Sequence, residues 1–393
     1  VSAAEECSTF LLLRLRQRLL LMRAVRDRTL QQLALAGATC AVLAAVGQAH
    51  AGANGGGEHG FAFVAGELPT ARLNSNFERH TILMMKKNEI KEMGAPRFGK
   101  PRLLILGCGD VGMRLLPLVR ERFRVFAVTS QESRREELRA AGAVPVIADL
   151  DRPASLARLA GLASRIIHLA PPQAEGAKDR RTRNLTAILP ERAQLVYVST
   201  TGVYGDCGGA LVDETRSVNP KTARARRRVD AEISLRRWAR RSGSRLAILR
   251  TPGIYAADRL PLERLQKGMP ALEEKDDVYS NHIHADDLAH IVARALFQAL
   301  PCRVYHASDD SDMKMGDYFD AVADACDLPR PPRLPRDELT KAVSPMLLSF
   351  MSESRRLRNA RMKQELGVRL RYAKVEDLLQ GIGRGQTCFA MTQ

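Results

Sequence analysis

From residue 102 onward the chain repeats one unit, a short apolar run followed by a helix-length segment, and this repeat constrains the fold more than any other feature. "RLLILG" opens the series, a helix is expected from Asp110, and "FRVFAV" follows; a helix from about Gln131 then leads to "AVPVIAD". The later runs are "SRIIHLA" (Ser164 to Ala170), "AQLVYVST" (Ala193 to Thr200) and "SRLAILR" (Ser244 to Arg250), with helical stretches between them. Continuous apolar strands separated by helices are what a parallel sheet covered on both faces needs, because each crossover lays a helix against the sheet. The expected fold is therefore α/β, a doubly wound parallel sheet over residues 101–255. After Arg250 the strands shorten and Pro-rich loops such as "LPRPPRLP" intervene. A small C-terminal α+β lobe over residues 256–393, sharing strands with the sheet, is expected to close over its carboxyl edge.

Residues 1–100 have a different texture, running from Arg/Leu alternation through an Ala-rich stretch to "AGANGGGEHG". They are expected to be a poorly ordered extension or a mis-assigned start, since residue 1 is Val and "MMKKNEI" at Met84 offers another beginning. Within them "LALAGATCAVLAAV" follows Arg26 and Arg28 and precedes Ala49-His50-Ala51, the small-x-small pattern of a signal-peptidase site. Fourteen apolar residues are too few to span a bilayer, and about thirty residues stand before them. The expected location is the cytoplasm, with export as the alternative if Leu33 to Ala51 acts as a signal.

The 393 residues, 45% of them hydrophobic, are enough to bury a full core. A formal charge of +17 attracts phosphates, yet aromatic content is only 5% and Trp238 is the sole tryptophan, which leaves few stacking platforms for nucleic acid. No nucleic-acid partner is expected. The seven cysteines are scattered without a C-x-x-C pair, so neither a disulfide framework nor a metal site is expected.

Between the first strand and its helix sits "GCGDVG", with Gly107, Gly109 and Gly112 in the G-x-G-x-x-G spacing and Asp110 and Val111 opening the helix. In that context the loop backbone can approach a pyrophosphate whose charge rests at a helix N-terminus, which makes the sheet a Rossmann-type dinucleotide binder. The second strand ends on Thr129 and Ser130 without the acid that marks a 2′-hydroxyl site. Arg134 and Arg135 can instead meet a 2′-phosphate, so the expected cofactor is NAD(P) with NADP slightly preferred, unless both arginines are helix surface. Asp149, closing the third strand, borders the adenine or caps a helix before Pro153.

At "VYVSTTGVYGD" the chain resembles extended short-chain dehydrogenases/reductases, the NAD-dependent epimerase/dehydratase family, whose S-[ST]-x-x-V-Y-G signature matches Ser199 to Gly205. "HLAPP" (His168 to Pro172), "LRTPGIY" (Leu249 to Tyr255) and "NHIHADDLA" (Asn281 to Ala289) are similar to that family in the same order, so the resemblance covers roughly residues 102 to 310. It implies that Leu169, Ala170 and Pro171 border the cofactor, that Pro252 and Tyr255 line the nicotinamide side, and that Thr200 hydrogen-bonds a substrate oxygen. His284 then serves either direct chemistry or the attachment of the lobe.

The family's Tyr-x-x-x-Lys pair is missing. Counting back from Glu232 in "PKTARARRRVDAE" places Arg228 where the lysine is expected and Arg224 where the tyrosine is expected. Both would share one helical face. Arg228 keeps a cation for ribose hydroxyls, whereas Arg224 stays protonated and cannot act as acid/base, although it can bind a carboxylate or phosphate. A proton would then come from Tyr204, Tyr255, His284 or a water held by Thr200. Two functions stay open: an NAD(P)-dependent oxidoreductase or epimerase-like enzyme with an altered site, acting on a small molecule that Arg224 suits to an anion, or a non-catalytic NADP(H)-sensing protein. Lys221, Arg226 and Arg227 read as surface; Arg355, Arg356 and Arg358 in "SESRRLRNARMKQELG" either face an acidic group or form a solvated helix face.

Overall fold

The computed structural model describes residues 99–343 and 345–382. The expectations for residues 1–98 lie outside the described residues. Seven strands form the central sheet: β1 (Arg102–Leu106), β2 (Arg124–Thr129), β3 (Val144–Ile147), β4 (Arg165–His168), β5 (Gln194–Thr200), β6 (Arg245–Thr251) and β7 (Arg303–His306). Their order is β7-β6-β5-β4-β1-β2-β3, and every pairing is parallel. The connections reverse direction at β1, which lies between β2 and β4, and such a reversal opens a crevice beyond the strands' carboxyl ends.

Alternation along each strand feeds two cores. Leu103 and Ile105 face α1 (Asp110–Val119), α5 (Ala285–Gln298) and α7 (Ala360–Leu366), meeting Leu115, Leu116, Leu288, Ile291 and Met362. Leu104 and Leu106 face α3 (Arg180–Thr186) and α4 (Ala223–Ser242), where Leu185, Leu235 and Trp238 cover them. Burying each such side chain contributes about 1.5–3 kcal/mol against leaving it exposed. The lobe has a core of its own, built from Leu272 together with Phe319 and Val322 of α6 (Met315–Ala325) and Leu379 of α8 (Val375–Ile382).

Helix α4 carries the altered pair. It starts because Thr222 Oγ1 accepts the Ala225 N–H at 3.1 Å, and it stops because Gly243 takes a left-handed φ of 62°. Its inner stripe of Ala231, Glu232, Leu235, Trp238 and Ala239 recurs at helical spacing, which brings Arg228 and Arg224 onto the same flank, above the sheet's carboxyl end.

Two expectations differ in detail. The segment expected to be helical from Gln131 begins as a 3₁₀ turn at Glu132–Arg134 before α2 (Arg135–Ala140), and only a 3₁₀ stretch, Pro153–Leu159, joins β3 to β4. Arg227 is buried, not surface, and its Nη1 donates to the Gly176 carbonyl at 2.8 Å. Among the described residues no helix is long and apolar enough to cross a membrane.

Candidate functional site

The crevice at the switch point is a cleft of about 250 Å³ between the glycine loop and the ends of β2, β3 and β4, where it is lined by Thr129, Asp149, Ala170 and Pro171. Each loop glycine has its own reason. Gly107 takes φ 78°, and a Cβ there would sit 2.6 Å from the Ala170 backbone. Gly112 lets α1 pack down, since a Cβ would lie 2.9 Å from Cys108 Sγ and 3.5 Å from Leu169. Gly109 has nothing within 4 Å of where its Cβ would be, and as the N-cap of α1 it offers no capping side chain. The first N–H groups of that helix are thus left for an anion brought close to the backbone, which is the fit a dinucleotide pyrophosphate requires. Burial pushes the Cys108 thiol up to about 11, so no thiolate opposes that charge.

Arg134 leans over the loop, with Nη1 on the Cys108 carbonyl at 2.5 Å while Nε and Nη2 grip Glu137 at 2.8 Å each. Arg135 turns outward to Glu132. Asp149 does not cap a helix; its Oδ1 accepts the Asp151 N–H at 2.9 Å. A second arginine in this cleft, Arg181, carried no local pattern; it holds Asp151 through Nε and Nη2 and donates from Nη1 to the Pro171 carbonyl at 3.1 Å. The Asp110 carboxylate does not line the cleft, because Arg114 (2.8 Å) and Arg259 (2.7 Å) hold it; burial works against its charge, but these arginines outweigh burial and depress its pKa. Val111 packs against the core.

A second cleft, also about 250 Å³, lies past the ends of β5 and β6 and brings together Thr200, Arg224, Arg228 and Pro252. Thr200 Oγ1 accepts the Gly202 N–H at 3.3 Å, which leaves the hydroxyl hydrogen to donate. Arg228 reaches under the strand end, with Nη1 on the Val198 carbonyl at 2.8 Å and on Tyr197 Oη at 3.1 Å. Arg224 stands exposed at the cleft mouth, where burial of part of its guanidinium and the neighbouring Arg228 lower its pKa from the usual arginine value. The facing wall comes from far along the chain: Ser349, Glu353 and Arg355. Glu353 Oε2 accepts from Arg355 Nη1 at 2.8 Å. The same nitrogen reaches the Gly205 carbonyl at 2.8 Å.

Three expected participants lie outside both clefts. Tyr204 is 1% exposed, and its hydroxyl sits between His306 Nε2 (2.6 Å) and Arg250 Nη1 (2.8 Å). The Arg358 carbonyl, 3.0 Å from His306 Nδ1, can only accept, so Nδ1 carries the ring proton and Nε2 accepts from Tyr204. Burial pushes His306 down to about 4 and Tyr204 up to about 12. Tyr255 is buried in the lobe core, edge-on to His282 and His284. His284 caps α5, its Nδ1 accepting the Asp286 N–H at 3.2 Å while its ring lies against Tyr372. All three side chains are buried. Glu232 is structural: with both oxygens on Arg250 (2.7 and 3.1 Å) and Ser199 Oγ at 2.7 Å, it forms a buried ion pair beneath the second cleft.

Among solved structures, a functionally unknown conserved protein from Silicibacter pomeroyi DSS is 30% identical, covers 72% of this chain and 98% of its own, and superposes with a TM-score of 0.62. UDP-glucose 4-epimerase from Thermotoga maritima, solved with UDP-glucose, is 17% identical, covers 72% and 97%, and has a TM-score of 0.59. UDP-glucose 4-epimerase from Thermus thermophilus, solved with NAD, is 20% identical, covers 72% and 99%, and has a TM-score of 0.56. The last two share the fold. No curated protein matches the sequence. The RmlD substrate binding domain matches residues 102–376, a span that takes in both clefts and every strand of the sheet, and on that match the chain belongs to this family, among the extended short-chain dehydrogenases/reductases.

Proposed function

We propose that the chain binds a nicotinamide dinucleotide in the glycine-loop cleft and carries out oxidoreductase or epimerase-like chemistry on a small molecule in the second cleft, by an altered proton route. The observation that carries this reading is the uncapped start of α1 over an open Gly109, beside the strand that precedes Thr200 in the sheet. When bound, the dinucleotide would supply hydride transfer. Gly107, Gly109 and the first turn of α1 would hold its pyrophosphate, Asp149 its adenosine end, and Arg228 its ribose. NADP is favoured over NAD because Arg134 and Arg181 both line this cleft, and each guanidinium keeps N–H bonds beyond those already committed. With Tyr204, Tyr255 and His284 buried elsewhere, the proton would pass through Thr200, a water it holds, or the Glu353 carboxylate opposite.

Calorimetric titration with NADP, NADPH, NAD and NADH tests this reading. Tighter binding of the phosphorylated forms, lost in Arg134→Ala while NAD binding persists, is the expected result. Absence of binding by all four would end the proposal. The loss of the Tyr/Lys pair favours a second reading, a protein that senses NADP(H) without turnover; it predicts the same titration but no cofactor oxidation or reduction across alcohols, aldehydes, acids and sugar nucleotides.

A further inference from the structure

We infer that the second cleft takes a compact oxyanion, the carboxylate or phosphate group of a small acid. This rests on the reading of that cleft as the substrate site and specifies what it accepts.

Charge is the first ground. Arg224, Arg228 and Arg355 line the cleft against a single carboxylate, Glu353, which already accepts from Arg355. Arg355 Nε is buried without an acceptor. Guanidinium groups gathered where burial and mutual repulsion already lower the pKa of one of them are stabilised by an incoming anion, and a planar fork suits two oxygens at once. Where the family keeps a residue that exchanges protons, this chain keeps one that fixes an anion.

Size is the second ground. The wall of Ser349, Glu353 and Arg355 stands across from Thr200 and Arg224 and leaves about 250 Å³ between them. The wall that limits the space is tied down. Ser354 N–H donates to Asp206 Oδ1 at 2.8 Å, Arg356 and Leu357 pair with Leu211 and Val212, and Asn281 Nδ2 donates to the Arg355 carbonyl at 2.8 Å. Gly205 completes the tie: at φ 67°, with Asn219 O only 2.4 Å from where a Cβ would be, it turns its carbonyl to Arg355 as no other residue can without strain. Thr200 then faces whatever oxygen the bound acid carries next to its anionic group.

The test is calorimetry on the full chain at constant ionic strength, with malonate, inorganic phosphate and UDP as probes and ADP-ribose as the reporter of the cofactor cleft. Malonate or phosphate is expected to bind, at least about tenfold more weakly in Arg224→Gln, with ADP-ribose affinity unchanged in that variant. Whichever of the two binds tighter identifies carboxylate or phosphate as the source. UDP binding more tightly than both with the same sensitivity to Arg224→Gln, no anion binding at all, or anion binding indifferent to the substitution would each overturn the inference. Failure of ADP-ribose to bind the wild-type chain would instead count against the proposed cofactor, leaving the anion result to stand alone.

Discussion

At the scale of the residue, Tyr204 shows how a signature position can serve structure. Its hydroxyl donates to His306 and accepts from Arg250, so Tyr204→Phe strips a partner from two buried groups. A loss of about 1–3 kcal/mol in urea unfolding is expected, with ADP-ribose and anion binding intact. A variant of unchanged stability but abolished binding would reverse that assignment. Thr200, Arg224 and Arg228 were located through the resemblance, by its signature and by the register of its helix, and all three line one cleft. Glu353 and Arg355 were not: about 150 residues separate them from Thr200, and the Arg-rich segment around them reads as a solvated face until Gly205 is seen to accept from Arg355. For His284 the sequence left both chemistry and attachment of the lobe open, and in the structure its ring caps α5 and lies against Tyr372.

At the scale of the element, α4 joins a charged mouth to a buried ion pair within two turns. Arg224 is exposed, Arg228 half-buried and Glu232 buried, so the helix enters the core along the line that bears the site. Glu232→Gln would leave Arg250 buried with no carboxylate to balance it. The expected cost is about 3–5 kcal/mol, read as a lower urea midpoint at unchanged slope. A loss under about 1 kcal/mol would mean that water reaches Arg250 and the pair is not sealed. The helix itself was legible from the Glu232 register that the resemblance supplies. The depth to which it sinks was not, because its many arginines hide the narrow stripe that it buries.

At the scale of the whole molecule, pH sets a limit on stability. Burial pushes His168 down to about 3 and both His282 and His306 to about 4, against about 6.5 in an unfolded chain. On these histidines the unfolded state binds more protons between those values, so their contribution is full above about pH 6.5 and falls as pH drops toward 4. Asp309 acts in the opposite sense, since burial raises it to about 7 and its contribution fades as pH rises through that value. Melting temperature should rise from about pH 5 and level off near about pH 7, with unfolding near pH 5 taking up roughly two protons, the histidines' gain less the one that Asp309 releases. A profile flat from about pH 5 to 7 would contradict this. The sheet was readable as a repeat of strands and helices, but its outer strand β7 comes from residues 303–306, after the stretch at which the rhythm fades. During synthesis, β6 is complete some fifty residues before β7 exists to cover it. For that interval its backbone N–H and C=O groups form an open edge, able to pair with any other extended chain, so nascent copies of this protein need protection at that one strand until residue 306 has emerged.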